Sequence, residues 1–170
     1  MATVTEHDGP GTTVPDELVY EFGALLGAAS VLERIAGREL ERRCGIRHAV
    51  FEVLLRLSGA GGDCAGEDGA VSMGGLAGEL ILTSGGMTRI IDRMEAAGLV
   101  RREPAPGDRR RQLVGLTPAG RAKLDEALGV HAETLRRHFA GPLAEEQRRV
   151  LVDALRVLRT TAREELGDLR

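Results

Sequence analysis

The chain has 170 residues, of which 23 are basic and 26 acidic, and it carries a net charge of −3 with no Trp and only 2% aromatic residues. A length of this order allows one domain or one compact two-lobed subunit. The scarcity of aromatic side chains argues against a stacking platform for single-stranded nucleic acid, and no run of apolar residues is long enough to cross a membrane.

An unstructured arm and two helices are predicted for the first third of the chain. Residues 1–14 are polar, contain Gly and Pro, and lack the basic start and apolar core of a signal peptide. We therefore expect a disordered arm on a cytoplasmic protein. Apolar residues recur at helical spacing in Pro15–Arg43 and in His48–Leu57, so residues 15–57 are predicted to form a long amphipathic helix and a shorter one.

A glycine-rich segment, residues 58–70, follows these helices. It lacks the lysine of a phosphate-binding loop, so it is predicted to be a mobile loop and not a nucleotide site. A strand is expected to begin near Val71.

Two short helices in tandem are predicted next. The first covers Ser72–Leu80, and the second covers Thr83–Ala97, with Thr83 as its N-cap and Gly98 at its end. The second helix has a polar, arginine-bearing face opposite an apolar stripe of Met87, Ile90, Ile91 and Met94. This pattern is typical of a helix–turn–helix arrangement.

A basic hairpin is predicted after the two helices. Apolar and polar residues alternate in Leu99–Glu103 and in Gln112–Leu116, and the Pro-Ala-Pro-Gly-Asp sequence between them is typical of a turn. Arginines at this turn give the hairpin a cationic tip that can enter a groove of DNA; a solvated, charged turn is the alternative. Together these elements predict a winged helix–turn–helix module over residues 71–116.

The distribution of charge supports this interpretation. Residues 83–123 contain nine basic and four acidic side chains, a net charge of +5, whereas the rest of the chain carries −8. A positive module on an acidic body is the electrostatic pattern expected of a protein that binds DNA on one side.

Two further helices are predicted over residues 117–170. Thr117 is a plausible N-cap with Pro118 at the first helical position, and the helix runs to about Phe139. Gly141 and Pro142 break the pattern, and a last amphipathic helix spans Leu143–Leu166. The terminal helices carry apolar stripes that a small winged domain cannot bury, so we expect them to form a homodimer; an intrachain bundle is the alternative. A two-fold dimer implies a pseudo-palindromic DNA site.

Two motifs lie in the wing and just after it: Asp-x-Arg at Asp108–Arg110 and Leu-Thr-x-x-Gly at Leu116–Gly120. The resemblance that they carry, over Leu76–Gly120, is to the MarR family of transcription regulators. It implies a mainly α fold with a small β-hairpin wing, that is, a winged helix–turn–helix flanked by dimerisation helices. It also implies a homodimeric DNA-binding regulator, most often a repressor. The chain departs from the family pattern at Ile81, where Gly is common, and in its glycine-rich segment.

Candidate DNA contacts lie on the second helix of the motif and on the wing. Backbone N–H groups in the first turn of that helix favour phosphate, and Thr88 and Arg89, one turn further along, can reach base edges. The family pattern implies that Asp108 holds Arg110, which leaves Arg109 for the minor groove with Arg111 behind it. The predicted contacts with double-stranded DNA are Ser84, Gly85, Gly86, Thr88, Arg89, Arg93, Arg109, Arg110 and Arg111.

The resemblance implies that the regulator responds to a small-molecule effector. In this family the pocket lies where the dimer helices meet the winged module. Ser84–Thr88 looks like the branch that responds to urate and related small acids, and Glu52 matches an acidic position of that branch, although the tryptophan of the branch is absent. We predict an anionic or aromatic effector at His48, Glu52 and Phe22; a solvated carboxylate at Glu52 is the alternative.

Other signals that the regulator could sense, and other functions, remain as alternatives. Redox sensing could use Cys44 or Cys64, and zinc could bind where Cys44, His48, Glu52, His131 and His138 gather, although no tight ligand pair is present and we predict no metal or cofactor. An enzyme is not expected because the chain has no Ser-His-Asp spacing, zinc-protease motif or dinucleotide loop. A protein-interaction module without DNA binding is a second rival, which Arg89, Arg109 and Arg110 argue against.

Overall fold

The chain is mainly helical, with one small antiparallel sheet, as predicted. The structure, a computed structural model, describes residues 16–59, 71–79, 84–105 and 107–168. These residues form, in order, α1 (Asp16–Cys44), α2 (His48–Leu57), β1 (Val71–Ser72), α3 (Met73–Glu79), α4 (Ser84–Ala96), β2 (Val100–Ala105), β3 (Asp108–Leu116), α5 (Pro118–Leu135) and α6 (Glu145–Asp168). A π-helical turn, Arg136–Ala140, continues α5.

The helix ends follow from local hydrogen bonds. Thr117 is the N-cap of α5, as predicted, because its hydroxyl accepts a hydrogen bond from the backbone N–H of Gly120 at 3.0 Å. We predicted that the next helix begins at Ser72, but Ser72 is not part of that helix. It lies in β1, and its hydroxyl accepts a hydrogen bond from the N–H of Gly75, which caps α3. The predicted arm, most of the glycine-rich segment and the predicted N-cap Thr83 lie outside the described residues.

The sheet has the order β1-β3-β2, so β2 is an edge strand. In β2 and β3, Val100 lies opposite Leu116 and Ala105 lies opposite Asp108, with an irregularity between Pro104 and Ala105. The turn is therefore shorter than predicted, and Arg109–Arg111 belong to strand β3 instead of the turn. The tight turn is possible because Gly107 has a φ of 82°, a left-handed conformation that glycine adopts without steric cost.

One hydrophobic core joins the two halves of the chain. Its largest fully buried side chains come from α1, α2, α3, α4 and β3, and α5 adds Leu124, Ala127 and Val130. Burying a side chain of this size stabilises the fold by about 1.5–3 kcal/mol relative to exposure. The fully buried set is Leu40, Phe51, Val53, Leu54, Leu57, Leu76, Met87, Ile91, Met94 and Val114.

The junction of α4, the wing and α5 is closely packed. At the end of α4, the N–H of Leu99 bonds to the carbonyl of Met94 and that of Gly98 bonds to the carbonyl of Glu95, a Schellman motif with Gly98 at a φ of 71°. The backbone N–H and the hydroxyl of Thr117 both donate to the carbonyl of Leu99. These bonds fix the start of the wing against the start of α5.

The first half of α1 and most of α6 project from this body with apolar side chains exposed to solvent. The exposed residues include Leu18, Val19, Phe22, Leu26, Val31, Val150, Leu155, Val157 and Leu158. None of the described helices combines the length and the apolar character needed to cross a membrane.

Candidate nucleic-acid interface

Helix α4 presents a polar face to solvent because its apolar stripe packs against the core. Met87 and Ile91 are completely buried. Thr88, Arg89 and Arg93 lie on the opposite side and are exposed. Arg89 and Arg93 are one turn apart, so their guanidinium groups lie on the same side of the helix. No ion pair links either arginine to another residue that the structure describes.

The first turn of α4 begins at Ser84, one residue after the predicted N-cap. The backbone of Ser84, Gly85 and Gly86 forms this first turn. The side chain of Ser84 lies outside the described part of the chain.

A double ion pair joins the wing to α4. The guanidinium of Arg102, in β2, lies 2.5 Å from the carboxylate of Asp92 and 2.6 Å from that of Glu95. The backbone N–H of Arg102 also donates to Glu95 at 3.3 Å. Burial opposes the charge on Arg102, but the hydrogen bonds and charges of the two carboxylates outweigh it and raise the pKa of the guanidinium.

Arg102 was not among the residues predicted from the sequence. The signal was the spacing of Asp92 and Glu95, which lie three residues apart on one side of α4 and face the first strand of the wing. Arg102 neutralises the acidic groups of a helix whose other exposed charges are basic. It also fixes the direction of the wing relative to α4.

The arginines of the wing lie along β3. The backbone of Arg109, Arg110 and Arg111 belongs to this strand. The side chains of these three arginines are outside the described part of the chain, as is the predicted pair of Asp108 with Arg110. In β2, Arg101 pairs with Glu103 at 2.6 Å.

The predicted effector residues do not all meet in one chain. His48 Nε2 lies 3.8 Å from Glu52, and His48 Nδ1 lies 3.7 Å from Glu33 of α1. Glu52 also pairs with Arg56 at 2.5 Å, so it is not simply a solvated carboxylate. Phe22 lies elsewhere. It is 62% exposed on α1, eleven residues before Glu33, or about 16 Å along the helix.

His131 completes the cluster on the α5 side. Its ring centroid lies 4.6 Å from that of Phe51 and 6.2 Å from that of His48. Burial and the charge of His48 lower the pKa of His131, against the opposing effect of Glu52. Its Nδ1 atom is buried without a hydrogen-bond partner among the described residues.

Little in the structure favours a redox or zinc site. Cys44 is buried, and burial together with the charge of Glu126 raises the pKa of its thiol, which disfavours the reactive thiolate. Cys64 lies outside the described residues. Within the described ranges, no three His, Cys, Asp or Glu side chains are arranged to hold a metal ion, so the predicted gathering of Cys44 with the histidines is not found there.

Known proteins similar to this chain are transcriptional regulators. The MarR family model matches residues 45–111. The HTH-type transcriptional regulator PecS of Dickeya dadantii (strain 3937) is 32% identical over 135 residues, which is 78% of this chain and 78% of PecS. The uncharacterized HTH-type transcriptional regulator YkoM of Bacillus subtilis (strain 168) is 37% identical over 73 residues, so the chain matches only 47% of the length of YkoM and 43% of its own.

A solved structure extends the similarity to the fold. Sco3205, a MarR family transcriptional regulator from Streptomyces coelicolor crystallised in complex with DNA, is similar with a TM-score of 0.74 and 27% identity. The match covers 88% of this chain and 92% of Sco3205. With PecS related over more than two thirds of both chains, and with the winged helix–turn–helix in place, the chain belongs to the MarR family of transcriptional regulators.

Proposed function

We propose that the protein is a homodimeric repressor that binds a pseudo-palindromic operator and is released by a small anionic or aromatic effector. The observation that carries the DNA-binding part is the exposed face of α4, where Arg89 and Arg93 project beside a wing that Arg102 holds in a fixed direction. The complex of Sco3205 with DNA supports the same use of the same fold. Acting on DNA as a regulator, the protein works in the cytoplasm.

The DNA contacts divide between the two parts of the module. Helix α4 enters the major groove, its first turn at Ser84–Gly86 faces phosphate, and Thr88 and Arg89 contact base edges. Arg93 lies one turn beyond Arg89 on the same face. Arg109 in the wing contacts the minor groove, with Arg110 and Arg111 beside it.

A second copy of the chain covers the projecting helices. Exposed apolar residues at the start of α1, such as Phe22 and Leu26, and along α6, such as Leu155 and Leu158, form faces that one chain leaves open to water. A two-fold dimer would bury both faces and place two α4 helices about one turn of DNA apart, or 34–36 Å.

The effector site is proposed at His48 and Glu52, where α1, α2 and α5 meet. A ligand there would contact the helices that lead to the dimer faces as well as α2, which packs against the DNA-binding module. In a dimer, Phe22 could reach this site only from the partner or through a change in the direction of α1, since it lies about three turns of helix away in its own chain.

Substitution of Arg89 tests the proposed function. Operators are first selected from random double-stranded DNA with the wild-type dimer, and the selection is repeated with Arg89→Ala. We expect the variant to lose preference at one position in each half-site, at mirror positions, with a cost of about 1–3 kcal/mol per half-site. Arg159→Ala, an exposed arginine on α6, is the matched control and should select the wild-type sequence.

Two outcomes would contradict the proposal. Identical base preferences for wild type and Arg89→Ala would show that Arg89 only contacts phosphate, and base recognition would then pass to Thr88 or Arg93. Failure of the wild type to enrich any sequence would favour an interaction module that does not bind DNA.

A further inference from the structure

Helix α6 is joined to α5 by an elbow that begins with the π-helical turn Arg136–Ala140. The N–H of Gly141 donates to the carbonyl of Arg136 at 2.8 Å, which is the five-residue spacing of a π-helix. Sharp changes in the direction of a helix are common at such turns. A Cβ atom added to Gly141 would lie 3.0 Å from the carbonyl oxygen of Arg137, so the backbone is closely packed at the elbow.

The side chain of Arg148, near the start of α6, reaches back to this elbow. Its Nη1 atom donates to the carbonyl of Ala140 at 2.9 Å and to that of Leu143 at 2.6 Å. Carbonyls at the end of a helix have no partner within the helix, and an arginine is a suitable donor for them. Arg148 is half-buried, and no ion pair joins it to an acidic side chain that the structure describes.

Little else in one chain holds α6 against the rest of the molecule. Helix α6 makes few contacts with the other described elements, and its apolar side chains Leu155 and Leu158 are exposed. A groove of about 680 Å³ is lined by Phe139 of the π-helical turn and by Val152 of α6. Packing within the chain therefore does little to fix the angle of the elbow, which leaves the hydrogen bonds of Arg148 to do so.

The elbow connects the DNA-binding module with a surface that is proposed for dimerisation. The start of α5 is bound to the wing through Thr117 and Leu99, and α6 carries exposed apolar side chains beyond the elbow. A change in the angle between α5 and α6 would therefore move each α4 relative to the two-fold axis. One added base pair shifts a half-site by about 3.4 Å and rotates it by about 35°, so the spacing of an operator is sensitive to this angle.

We propose that Arg148 is a positioning residue, which fixes the direction of α6 relative to α5 and so sets the half-site spacing that the dimer accepts. The effect on spacing rests on the proposed function, whereas the effect on the elbow concerns one chain alone. Arg148 acts through the geometry of the dimer and not through a contact with DNA.

Operator libraries in which two copies of the selected half-site are separated by different numbers of base pairs test the spacing. The wild type should prefer one spacing. Arg148→Gln should reduce the preference for that spacing over its neighbours on the order of tenfold, because a neighbouring spacing no longer requires the two hydrogen bonds to break. Arg148→Lys, which keeps a donor for one of the carbonyls, should lie between the wild type and Arg148→Gln.

Arg149→Gln is the matched control. Arg149 is the next residue of α6, and its exposed side chain pairs with Glu146 of the same helix at 2.7 Å. This variant should keep the spacing preference of the wild type. An unchanged preference in Arg148→Gln, or an equal loss of affinity at every spacing, would overturn the role of Arg148 in spacing.

A distance measured within one chain tests the elbow without DNA. Nitroxide labels are attached to Asp125→Cys on α5 and Thr160→Cys on α6, both exposed positions, in a full-length chain that also carries Cys44→Ala and Cys64→Ala. Labelled chains are diluted with unlabelled ones, and double electron–electron resonance gives the distribution of distances between the labels. Arg148→Gln should broaden or shift this distribution, and an identical distribution would overturn the proposal.

The two experiments separate this inference from the proposed function. A wild type that binds no operator, or that is a monomer, would contradict the proposed function and with it the effect on spacing, and the label distances would still decide whether Arg148 fixes the elbow. Operator binding by the wild type, together with label distances that Arg148→Gln leaves unchanged, would agree with the proposed function and overturn this inference.

Discussion

Helix α5 lies very close to Leu99 at Gly120, in the first turn of α5. A Cβ atom added to Gly120 would lie 1.9 Å from the carbonyl oxygen of Leu99, well inside van der Waals contact. The same carbonyl accepts hydrogen bonds from the N–H and hydroxyl of Thr117. The Leu-Thr-x-x-Gly motif therefore has a physical basis: its threonine binds the wing, and its glycine lets the helix approach.

Gly120→Ala should destabilise the protein strongly. The added methyl group forces the backbone of α5 away from Leu99, which is expected to lower the free energy of unfolding by roughly 2–3 kcal/mol. Gly129→Ala, on the same helix with nothing within 4 Å of the added Cβ, should raise it by about 0.5–1 kcal/mol. Chemical denaturation of the two variants measures the difference, and equal effects would refute this role of Gly120.

His131 should make stability depend on pH near neutrality. Its pKa is lowered in the folded state, mainly by burial, so the unfolded chain takes up a proton first as the pH falls. Stability is then fully present above the ordinary histidine pKa of about 6.5 and is lost as the pH falls through the folded-state pKa.

Denaturation midpoints between pH 7.5 and pH 5 measure this effect. The midpoint of the wild type should fall across this range, and that of His131→Gln should fall less. His138→Gln, a half-buried histidine on the π-helical turn, is the control and should follow the wild type. Parallel profiles for wild type and His131→Gln would exclude His131 as the source.

At the scale of elements, the ion pairs of Arg102 connect the two parts that are proposed to contact DNA. Asp92 and Glu95 are largely exposed, so the pairs contribute only about 0–1 kcal/mol to stability. We expect a larger effect on binding, because loss of Arg102 would let the wing change its direction and would leave Asp92 and Glu95 on α4 without this partner.

Arg102→Gln should therefore weaken operator binding on the order of tenfold with little change in stability. Arg101→Gln is the matched control, since Arg101 is on the same strand but pairs with Glu103 of that strand, and it should have a smaller effect. Operator titrations and thermal melts of both variants check this. A large loss of stability in Arg102→Gln, or equal loss of binding in both variants, would contradict it.

The helices and the module were predictable from the sequence because their apolar stripes are long and regular. The stripe of Met87, Ile91 and Met94 is buried as expected, and the Thr117 cap was recognisable from the proline that follows it. The extent of the wing was not predictable. Pro104 and Gly107 favoured a long turn, but β2 is an edge strand, where a proline without an N–H is tolerated.

Contacts between distant residues were the other part that sequence patterns did not reveal. The approach of Gly120 to Leu99 and the pairing of Arg102 with Asp92 depend on how α4, β2 and α5 are arranged in space. The family resemblance singled out the Leu-Thr-x-x-Gly motif, but the sequence did not reveal the contacts that the motif makes. Likewise, Phe22 was predicted to share an effector site with His48 and Glu52, but the length of α1 separates them within one chain.

For the whole molecule, the exposed faces of α1 and α6 are expected to decide the oligomeric state. Leu155→Glu combined with Leu158→Glu places two charges on the apolar face of α6 and should convert the proposed dimer to a monomer with little operator affinity. Thr160→Glu, an exposed residue on the same helix, is the control and should remain dimeric. Sedimentation equilibrium measures the oligomeric state of both variants. A doubly substituted chain that remains a dimer would contradict the role of α6.

The ion pairs of Arg102 also affect how ionic strength should act on the whole molecule. The slope of log affinity against log salt concentration is commonly converted into a number of phosphate contacts. Here salt would weaken two sets of interactions at once, the contacts with phosphate and the internal pairs that hold the wing against α4. The slope would then overstate the number of phosphates contacted, and the difference between the slopes of the wild type and Arg102→Gln would measure the internal part.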